Sequence, residues 1–258
     1  MRFPCREIKL YRGLCRLRAA PMGIRAMPET PSLLLLPGLL CDARLWRDQV
    51  DALAGKVECL LADTMLDDSL PAMAARALAT APPRFALAGL SMGGYLAFEI
   101  LRRAPERVTR LALLDTSARP DSPFQARRRR GLIALSRTGL FRGVTPRLLP
   151  QLIHPDHVAG PIGEAVLAMA DRVGRDAFLR QQAAILARPD SRPDLARIQV
   201  PTLVMVGEAD AVTPPDLAEE MAAGISGAAL HRIPGSGHLP PMEAPTAVTA
   251  LLREWLRA

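Results

Sequence analysis

The chain has 258 residues, 49% of them hydrophobic, and a formal net charge of +7 at pH 7. This length and composition fit one large α/β domain or a core with an inserted lobe, and no run approaches the ~18 apolar residues of a membrane span. Residues 1–28 carry seven basic side chains against Glu7 alone, so the remaining chain is close to neutral, which argues against a nucleic-acid-binding surface.

Residues 1–30 form a basic segment that fits two arrangements, an N-terminal extension or a short hairpin over 8–17 at the edge of the sheet. The segment lacks the apolar stretch of a secretory signal. It is arginine-rich and acid-poor like a transit peptide, but it contains no serine. Nucleic-acid binding through this arm is a further alternative, and it would be sensitive to salt and lost on removal of residues 1–28.

The regular pattern begins with four leucines at 33–36, typical of a strand buried on both faces of a parallel sheet, and the strand ends at Pro37 and Gly38. A short strand is predicted over 57–61 and a helix over 69–80. A helix is predicted over 42–53, between the first strand and the strand over 57–61. Four of its residues are predicted to face inward: Leu45, Trp46, Val50 and Leu53.

A Gly-x-Ser-x-Gly pattern centred on Ser91 lies between an apolar strand and a helix predicted over 92–104, the arrangement of a nucleophile elbow. A serine on so sharp a turn has strained backbone angles. Side chains at Gly89 and Gly93 would collide with the neighbouring strand and helix. The turn predicts a raised Ser91 hydroxyl beside the helix N-terminus, whose N–H groups can bind an oxyanion. The alternative interpretation is a tight turn with a structural serine.

Strands are also predicted over 108–114, 202–206 and 228–233, with helices over 214–223 and 245–256. This alternation predicts an α/β fold with a doubly wound, mostly parallel sheet and helices on both of its faces.

The alternation is interrupted over residues 119–193, where no strand is predicted. An all-helical insertion between two strands is interpreted as a cap over the site, with residues 31–118 and 194–258 forming the core. Three helices are predicted within the insertion, over 128–137, 162–173 and 176–186.

Four motifs follow one another in a fixed order: Pro37-Gly38-Leu39-Leu40, Gly89 to Gly94, Gly207-Glu208-Ala209-Asp210, and Gly237-His238 with Glu243-Ala244-Pro245. Together they resemble the α/β-hydrolase fold enzymes, from about residue 31 to the C-terminus. Within that superfamily the chain is similar to small capped serine hydrolases, which include carboxylesterases, pimeloyl-acyl-carrier methyl esterases and enol-lactone hydrolases. The resemblance implies an inserted cap and a Ser-His-acid triad, with no cofactor.

A serine hydroxyl needs a base within hydrogen-bond reach and a third group that orients the base. His238, in the loop after the last strand, is the predicted base for Ser91. Asp210 is the predicted acid, because it lies at the same sheet edge and gives the chain order Ser, Asp, His. Asp115 is the competing acid, since some members of the family place theirs after that strand, and Glu208 is the poorer candidate.

The resemblance also implies an oxyanion hole made by the backbone N–H groups of Leu39 and Met92. The family usually has His-Gly where this chain has Pro37-Gly38. That histidine braces the loop without taking part in the chemistry, so its replacement concerns loop geometry. Leu40 and Tyr95 are predicted to line the substrate pocket, and core packing is the alternative for Tyr95.

No metal site and no cofactor are expected. His154 and His157 have i, i+3 spacing, but Pro155 argues against a helical metal pair, so the alternative is that they face substrate from the cap. Glu243 is predicted to cap or brace the final helix. The cysteines lack Cys-x-x-Cys spacing and are interpreted as free thiols in a reducing, cytoplasmic compartment: Cys5, Cys15, Cys41 and Cys59.

The predicted function is a cytoplasmic serine hydrolase that cleaves an ester or related acyl bond of a small to medium, largely apolar substrate. Carbon–carbon bond hydrolysis, perhydrolysis or a lyase step at the same site is one alternative, and a non-catalytic binding protein is another. The sequence does not determine the oligomeric state. An acidic acyl-carrier-protein-linked substrate would be attracted by a positive patch on the cap, made by Arg127 to Arg130, Arg137, Arg142 and Arg147.

Overall fold

The computed structural model describes residues 31–139 and 141–257. Its six strands are β1 (Ser32–Leu36), β2 (Glu58–Leu61), β3 (Phe85–Leu90), β4 (Val108–Leu114), β5 (Thr202–Gly207) and β6 (Ala229–Ile233). They form one sheet in the order β2-β1-β3-β4-β5-β6, and every neighbouring pair is parallel. The predicted parallel α/β sheet is confirmed.

Within these described residues, ten α-helices connect or follow the strands: α1 (Arg47–Leu53), α2 (Leu70–Thr80), α3 (Met92–Arg103), α4 (Pro123–Thr138), α5 (Leu149–Leu152), α6 (Pro155–Val158), α7 (Pro161–Leu186), α8 (Pro215–Gly224), α9 (Pro240–Glu243) and α10 (Pro245–Arg257). None in the described part of the chain is both long and apolar enough to cross a membrane.

Both faces of the sheet are covered, because successive side chains of a strand point to opposite sides. On β1, Leu34 and Leu36 pack into the core formed with α2, α3 and α8. Leu33 and Leu35 pack into the opposite core, with α1 and α10. An uninterrupted leucine run therefore fits a strand buried on both faces, as the sequence predicts.

The site is positioned by the point where the strand order reverses. From β1 the chain runs outward to β2 and then crosses back to β3, on the other side of β1, where Leu36 pairs with Gly89. The loops after β1 and β3 therefore leave the same carboxyl edge side by side. In open α/β sheets this crevice is where ligands bind.

The first predicted helix differs in its packing. It begins as a 3-10 turn, Ala43–Trp46, before α1, and Asp42 caps the turn by accepting a hydrogen bond from the Arg44 N–H at 2.9 Å. A 3-10 turn has 3.0 residues per turn instead of 3.6, so it shifts which residues of α1 face the core. The predicted inward position of Val50 is wrong: Val50 is 36% exposed and Gln49 is buried.

The segment between β4 and β5 contains α4 to α7 and, among its described residues, no strand. Helix α4 begins earlier than predicted because Ser122 and Gln125 form a capping box ahead of the arginines. Helix α7 joins the two helices predicted over 162–173 and 176–186. Gly174, with φ 74° and ψ 178°, interrupts the helical geometry between them.

The basic extension or edge hairpin predicted within residues 1–30 lies outside the described residues, as do Cys5 and Cys15.

Candidate active site

The turn between β3 and α3 holds Ser91 in a strained conformation, with φ 56° and ψ −115°. Positive φ is uncommon for residues other than glycine and persists only where the surroundings enforce it. Here the Ser91 N–H donates to the Leu114 carbonyl oxygen at 3.0 Å, and the Thr116 hydroxyl donates to the Ser91 carbonyl oxygen at 2.7 Å. The end of β4 therefore fixes the turn.

Glycines on either side of Ser91 let strand and helix approach closely. A Cβ atom on Gly89 would overlap the backbone carbonyl of Gly93, and one on Gly93 would overlap the carbonyl oxygen of Leu36 at the end of β1. Neither neighbour is a flexible side-chain end that could move aside. The collisions that the sequence analysis predicts at both positions are present in the structure.

Ser91, His238 and Asp210 form a continuous hydrogen-bonded line, although they come from three separate loops. The Nε2 atom of His238 lies 2.9 Å from Ser91 Oγ, and its Nδ1 atom lies 2.8 Å from Asp210 Oδ2. An ionised carboxylate can only accept, so the Nδ1 atom of His238 must carry the ring proton. Nε2 is then free to accept the Ser91 hydroxyl proton.

Asp210 is held in its charged form by several donors. Its Oδ1 accepts from the N–H groups of Val212 at 2.8 Å and Thr213 at 3.0 Å, and its Oδ2 accepts from the Thr213 hydroxyl at 2.7 Å. Burial alone would raise the pKa of Asp210. The electrostatic interaction and hydrogen bond with His238, together with the hydrogen bonds from Thr213, outweigh burial and lower the pKa of Asp210 below its usual value.

The loop that carries His238 is braced by Glu243. Its buried carboxylate accepts hydrogen bonds from four groups: the Gly237 N–H at 3.0 Å, the Leu239 N–H at 2.9 Å, the Ser236 hydroxyl at 3.3 Å and the His154 N–H at 2.6 Å. Glu243 is the last residue of α9, and its side chain faces back into this loop. The predicted role in capping α10 is wrong for that reason.

Asp115, the competing acid, lies at the end of β4 and is fully buried, with φ 44°. Its Oδ1 accepts the Gly207 N–H at 2.8 Å, whereas its Oδ2 has no hydrogen-bond partner among the described residues. Burial, followed by the charge of Asp210, raises the pKa of Asp115 well above its usual range. With its pKa raised and its Oδ2 without a donor among the described residues, Asp115 is the poorer source of negative charge beside His238.

We expect Asp115→Asn to stabilise the protein increasingly as pH rises. Asp115 binds a proton in the folded chain at pH values where the unfolded carboxyl, with a pKa near ~3.9, has lost it. Stability then falls with rising pH by up to ~1.4 kcal/mol per unit until the folded group ionises. Asparagine does not titrate and escapes this loss. Thermal melts from pH 5 to 9 test the expectation.

The matched control is Asp171→Asn, which removes an exposed carboxylate from α7. Its melting temperature should follow that of the wild type at every pH. Parallel curves for the wild type and Asp115→Asn would contradict a protonated Asp115.

A metal site is not favoured by this arrangement. In the part of the chain that the structure describes, one group of His, Cys, Asp or Glu side chains brings three possible metal-ligand atoms within 4.8 Å of one another: Asp115, Asp210 and His238. Both ring nitrogens of His238 are already hydrogen-bonded, to Asp210 and to Ser91. The histidine has no nitrogen left for a metal ion. His154 instead caps α6, its Nδ1 accepting the Asp156 N–H at 3.4 Å.

The loop after β1 lies directly beside Ser91. A Cβ atom on Gly38 would sit 3.4 Å from Ser91 Cβ. The predicted oxyanion donors, the backbone N–H groups of Leu39 and Met92, donate to no acceptor within the described residues. Leu39 follows Gly38 in this loop, and Met92 follows Ser91 in the first turn of α3.

The two predicted pocket residues lie in different clusters. Leu40 is buried with apolar residues of α7: Ala170, Val173, Ala177 and Phe178. Tyr95 lies in the core on the α2 and α3 face, with the Arg188 guanidinium carbon 4.3 Å from its ring centroid. Tyr95 therefore packs in the hydrophobic core, which is the alternative given for it in the sequence analysis. Cys41, next to Leu40, is buried, and burial raises the pKa of its thiol to about 12.

The contacts that three residues make around the site were not predicted from the sequence. Thr213 holds Asp210, Glu243 holds the His238 loop, and Gln181 of α7 accepts the Leu40 N–H at 3.0 Å. Only Thr213 has a local signal, since it lies three residues after an aspartate in a loop. Gln181 acts across 141 positions of the chain, and Glu243 also joins the His238 loop to His154, 89 positions away. No local pattern encodes contacts over such distances.

Comparison with known proteins gives consistent matches. The alpha/beta hydrolase family profile matches residues 33–251. The pimeloyl-[acyl-carrier protein] methyl ester esterase of Neisseria meningitidis serogroup A is 29% identical over 174 residues, which are 65% of this chain and only 55% of that relative's length. A thermophilic esterase from Thermogutta terrifontis is 32% identical, with a TM-score of 0.79 and coverage of 88% of this chain and 89% of that one.

The enol-lactonase from Burkholderia xenovorans LB400 is 26% identical, with a TM-score of 0.77 and coverage of 89% of this chain and 92% of that one. The profile match alone covers far more than half of the chain. The chain therefore belongs to the alpha/beta hydrolase family and is a hydrolase of that fold, as its motifs predict.

Proposed function

We propose that this enzyme cleaves a carboxylic ester or related acyl bond of a small to medium, largely apolar substrate through a serine acyl-enzyme. One observation carries the proposal: Ser91 Oγ, the His238 ring and the Asp210 carboxylate form an unbroken line with spacings of 2.9 and 2.8 Å. The esterase names of the relatives favour ester cleavage over carbon–carbon hydrolysis, perhydrolysis or a lyase step.

Acylation follows from the proton positions. Ser91 Oγ attacks the carbonyl carbon as His238 Nε2 takes the hydroxyl proton, and the carbonyl π electrons move onto oxygen. The imidazolium that forms is stabilised by Asp210, which does not itself take the proton. His238 then delivers its Nε2 proton to the leaving alcohol oxygen as the carbon–oxygen bond breaks, leaving an acyl group on Ser91.

Deacylation repeats the sequence with water. His238 removes a proton from water, the hydroxide oxygen attacks the acyl carbon, and the second tetrahedral intermediate collapses. The proton on Nε2 returns to Ser91 Oγ, and the carboxylic acid is released. No redox step or further reactant is required.

The oxyanion of both intermediates would be bound by the Leu39 and Met92 N–H groups. Loss of one such donor typically lowers turnover by ~10²–10³, so the position of the Leu39 loop matters. Met92 lies in the first turn of α3, where the helix dipole adds a positive potential.

We propose residues 119–193 as the cap that shapes the pocket. Residues of α7 surround Leu40, and the Leu152 carbonyl oxygen of α5 accepts the His238 N–H at 2.8 Å. The apolar side chains around Leu40 suit an apolar acyl group.

A carrier-linked ester is the second candidate. Helix α4 carries four exposed arginines and no acidic residue: Arg127, Arg128, Arg130 and Arg137. A surface groove of about 490 Å³ lies between α4 and α7 and is lined by Arg130, Ile133 and Arg137 among others. An acidic carrier protein would be attracted to this surface. Arg129 is not part of it, because it pairs with Asp121 at 2.7 Å.

The test measures kcat/KM for p-nitrophenyl esters of graded acyl length, with a cleavable diketone, a cyanohydrin and a perhydrolysis assay as comparisons. We expect hydrolysis of esters, with an optimum at short to medium acyl chains. A second arm compares one methyl ester free and linked to an acyl carrier protein at increasing salt. A carrier preference that salt removes supports the second candidate, and equal rates contradict it. Turnover of a comparison substrate in preference to every ester would overturn the proposed function.

A further inference from the structure

The loop after β1 contains a second strained residue. Leu40 has φ 58°, and it is buried at 6% exposure. A leucine does not hold this conformation by itself, because its side chain makes the left-handed region unfavourable. One contact reaches its backbone from a distant part of the chain: the Leu40 N–H donates to Gln181 Oε1 at 3.0 Å.

The other end of the Gln181 side chain is anchored as well. Its Nε2 donates to the Thr64 carbonyl oxygen at 3.2 Å and lies 3.4 Å from the Thr64 hydroxyl oxygen. Gln181 is fully buried, so water cannot replace these bonds. The amide can also be placed in only one way, since a flipped amide would set NH₂ against the Leu40 N–H and oxygen against the Thr64 carbonyl.

These bonds fix the peptide groups on both sides of Leu39. The Gly38 carbonyl oxygen accepts the Cys41 N–H at 3.2 Å, and the Leu39 carbonyl oxygen lies 3.5 Å from Cys41 Sγ. The next peptide N–H, that of Leu40, is held by Gln181. The Leu39 N–H is left without an acceptor in the described chain, and the preceding residue, Gly38, lies beside Ser91.

We propose that Gln181 is a positioning residue for the oxyanion hole: from the cap helix α7 it holds Leu40 in its left-handed conformation and so directs the Leu39 N–H at the developing oxyanion. This inference rests on the proposed serine-hydrolase function. It gives the loop a brace in a chain that has Pro37 where the family usually has a histidine.

The test replaces Gln181 by methionine, which has similar length and volume but neither donates nor accepts in the same way. The matched control is Gln182→Met, because Gln182 is also buried and hydrogen-bonds to Arg129 without touching the loop. For an ester substrate we expect Gln181→Met to lower kcat by about 10- to 100-fold, less than the ~10²–10³ for removing a donor, with KM within about twofold. The control should keep kcat.

A thionoester separates a positioning role from general loosening. Its sulfur is a weak hydrogen-bond acceptor, so the oxyanion hole contributes less to its cleavage. We expect Gln181→Met to slow the ester much more than the matching thionoester. Equal slowing of both substrates, or a loss of kcat no larger than that of Gln182→Met, would overturn the inference.

If Gln181→Met does not fold, the Thr64→Val variant tests the positioning role of Gln181 instead. It removes only the hydroxyl contact of the Gln181 amide, and we expect a loss of kcat of about two- to fivefold for the ester and less for the thionoester. Equal losses overturn the inference. A wild-type enzyme that hydrolyses no ester overturns the proposed function and this inference with it, whereas an active wild type with a normal Gln181→Met variant overturns the inference alone.

Discussion

We expect Ser91→Ala and His238→Ala each to lose ester hydrolysis by ~10⁴ or more, because either change removes the proton transfer that activates the nucleophile. Both variants should also fail to react with a fluorophosphonate probe. In the wild type the Ser91 oxygen displaces fluoride from phosphorus and leaves one phosphonyl adduct, which intact-mass measurement detects. The His238 Nε2 atom, 2.9 Å from Ser91 Oγ, is placed to accept the hydroxyl proton in that step.

The control is Ser122→Ala, which makes the same change at the exposed N-cap of α4. It should label and turn over like the wild type. Circular dichroism shows whether each variant is folded. An adduct on Ser91→Ala at the wild-type rate would show that another residue is the nucleophile, and an unlabelled but folded wild type would favour the binding-protein alternative.

Asp210→Asn should lower kcat by ~10⁴, since an asparagine there can present its NH₂ group to His238 Nδ1 and favour the wrong ring tautomer. Asp115→Asn should leave kcat near the wild-type value. Its amide oxygen can still accept the Gly207 N–H, and its NH₂ group can take the place of the carboxyl proton. Steady-state kinetics on the two matched substitutions assigns the acid.

The two carboxyl groups should also be coupled. After burial, the charge of Asp210 is the main cause that raises the pKa of Asp115, so Asp210→Asn lowers that pKa toward its usual range. Asp115 can then ionise close to His238, and the residual activity of Asp210→Asn should increase with pH. The Asp115→Asn, Asp210→Asn double variant should lack this increase. Equal losses of activity in the two single variants would contradict the assignment of Asp210.

Much of the fold followed from local patterns. The leucine run of β1 has neighbours on both faces, and an apolar strand of this kind needs a sheet that is covered on both sides. The break in α7 falls at Gly174, between the two helices that periodicity predicts. Val50 was misplaced because hydrophobic periodicity assumes 3.6 residues per turn, and the preceding turn is a 3-10 helix.

For the site, the sequence by itself determined the elbow at Ser91 and the residue types that follow the other strands, because parallel strands bring their carboxyl ends to one edge. The sequence already favoured Asp210 over Asp115, and the tertiary structure adds a physical reason: Asp210 accepts hydrogen bonds on both carboxylate oxygens, whereas Asp115 Oδ2 is buried without a donor among the described residues. Only the tertiary structure shows how the loop after β1 is held. The hydrogen bond from the Leu40 N–H to Gln181 joins residues 141 positions apart, and a contact between such distant residues leaves no trace in a local pattern.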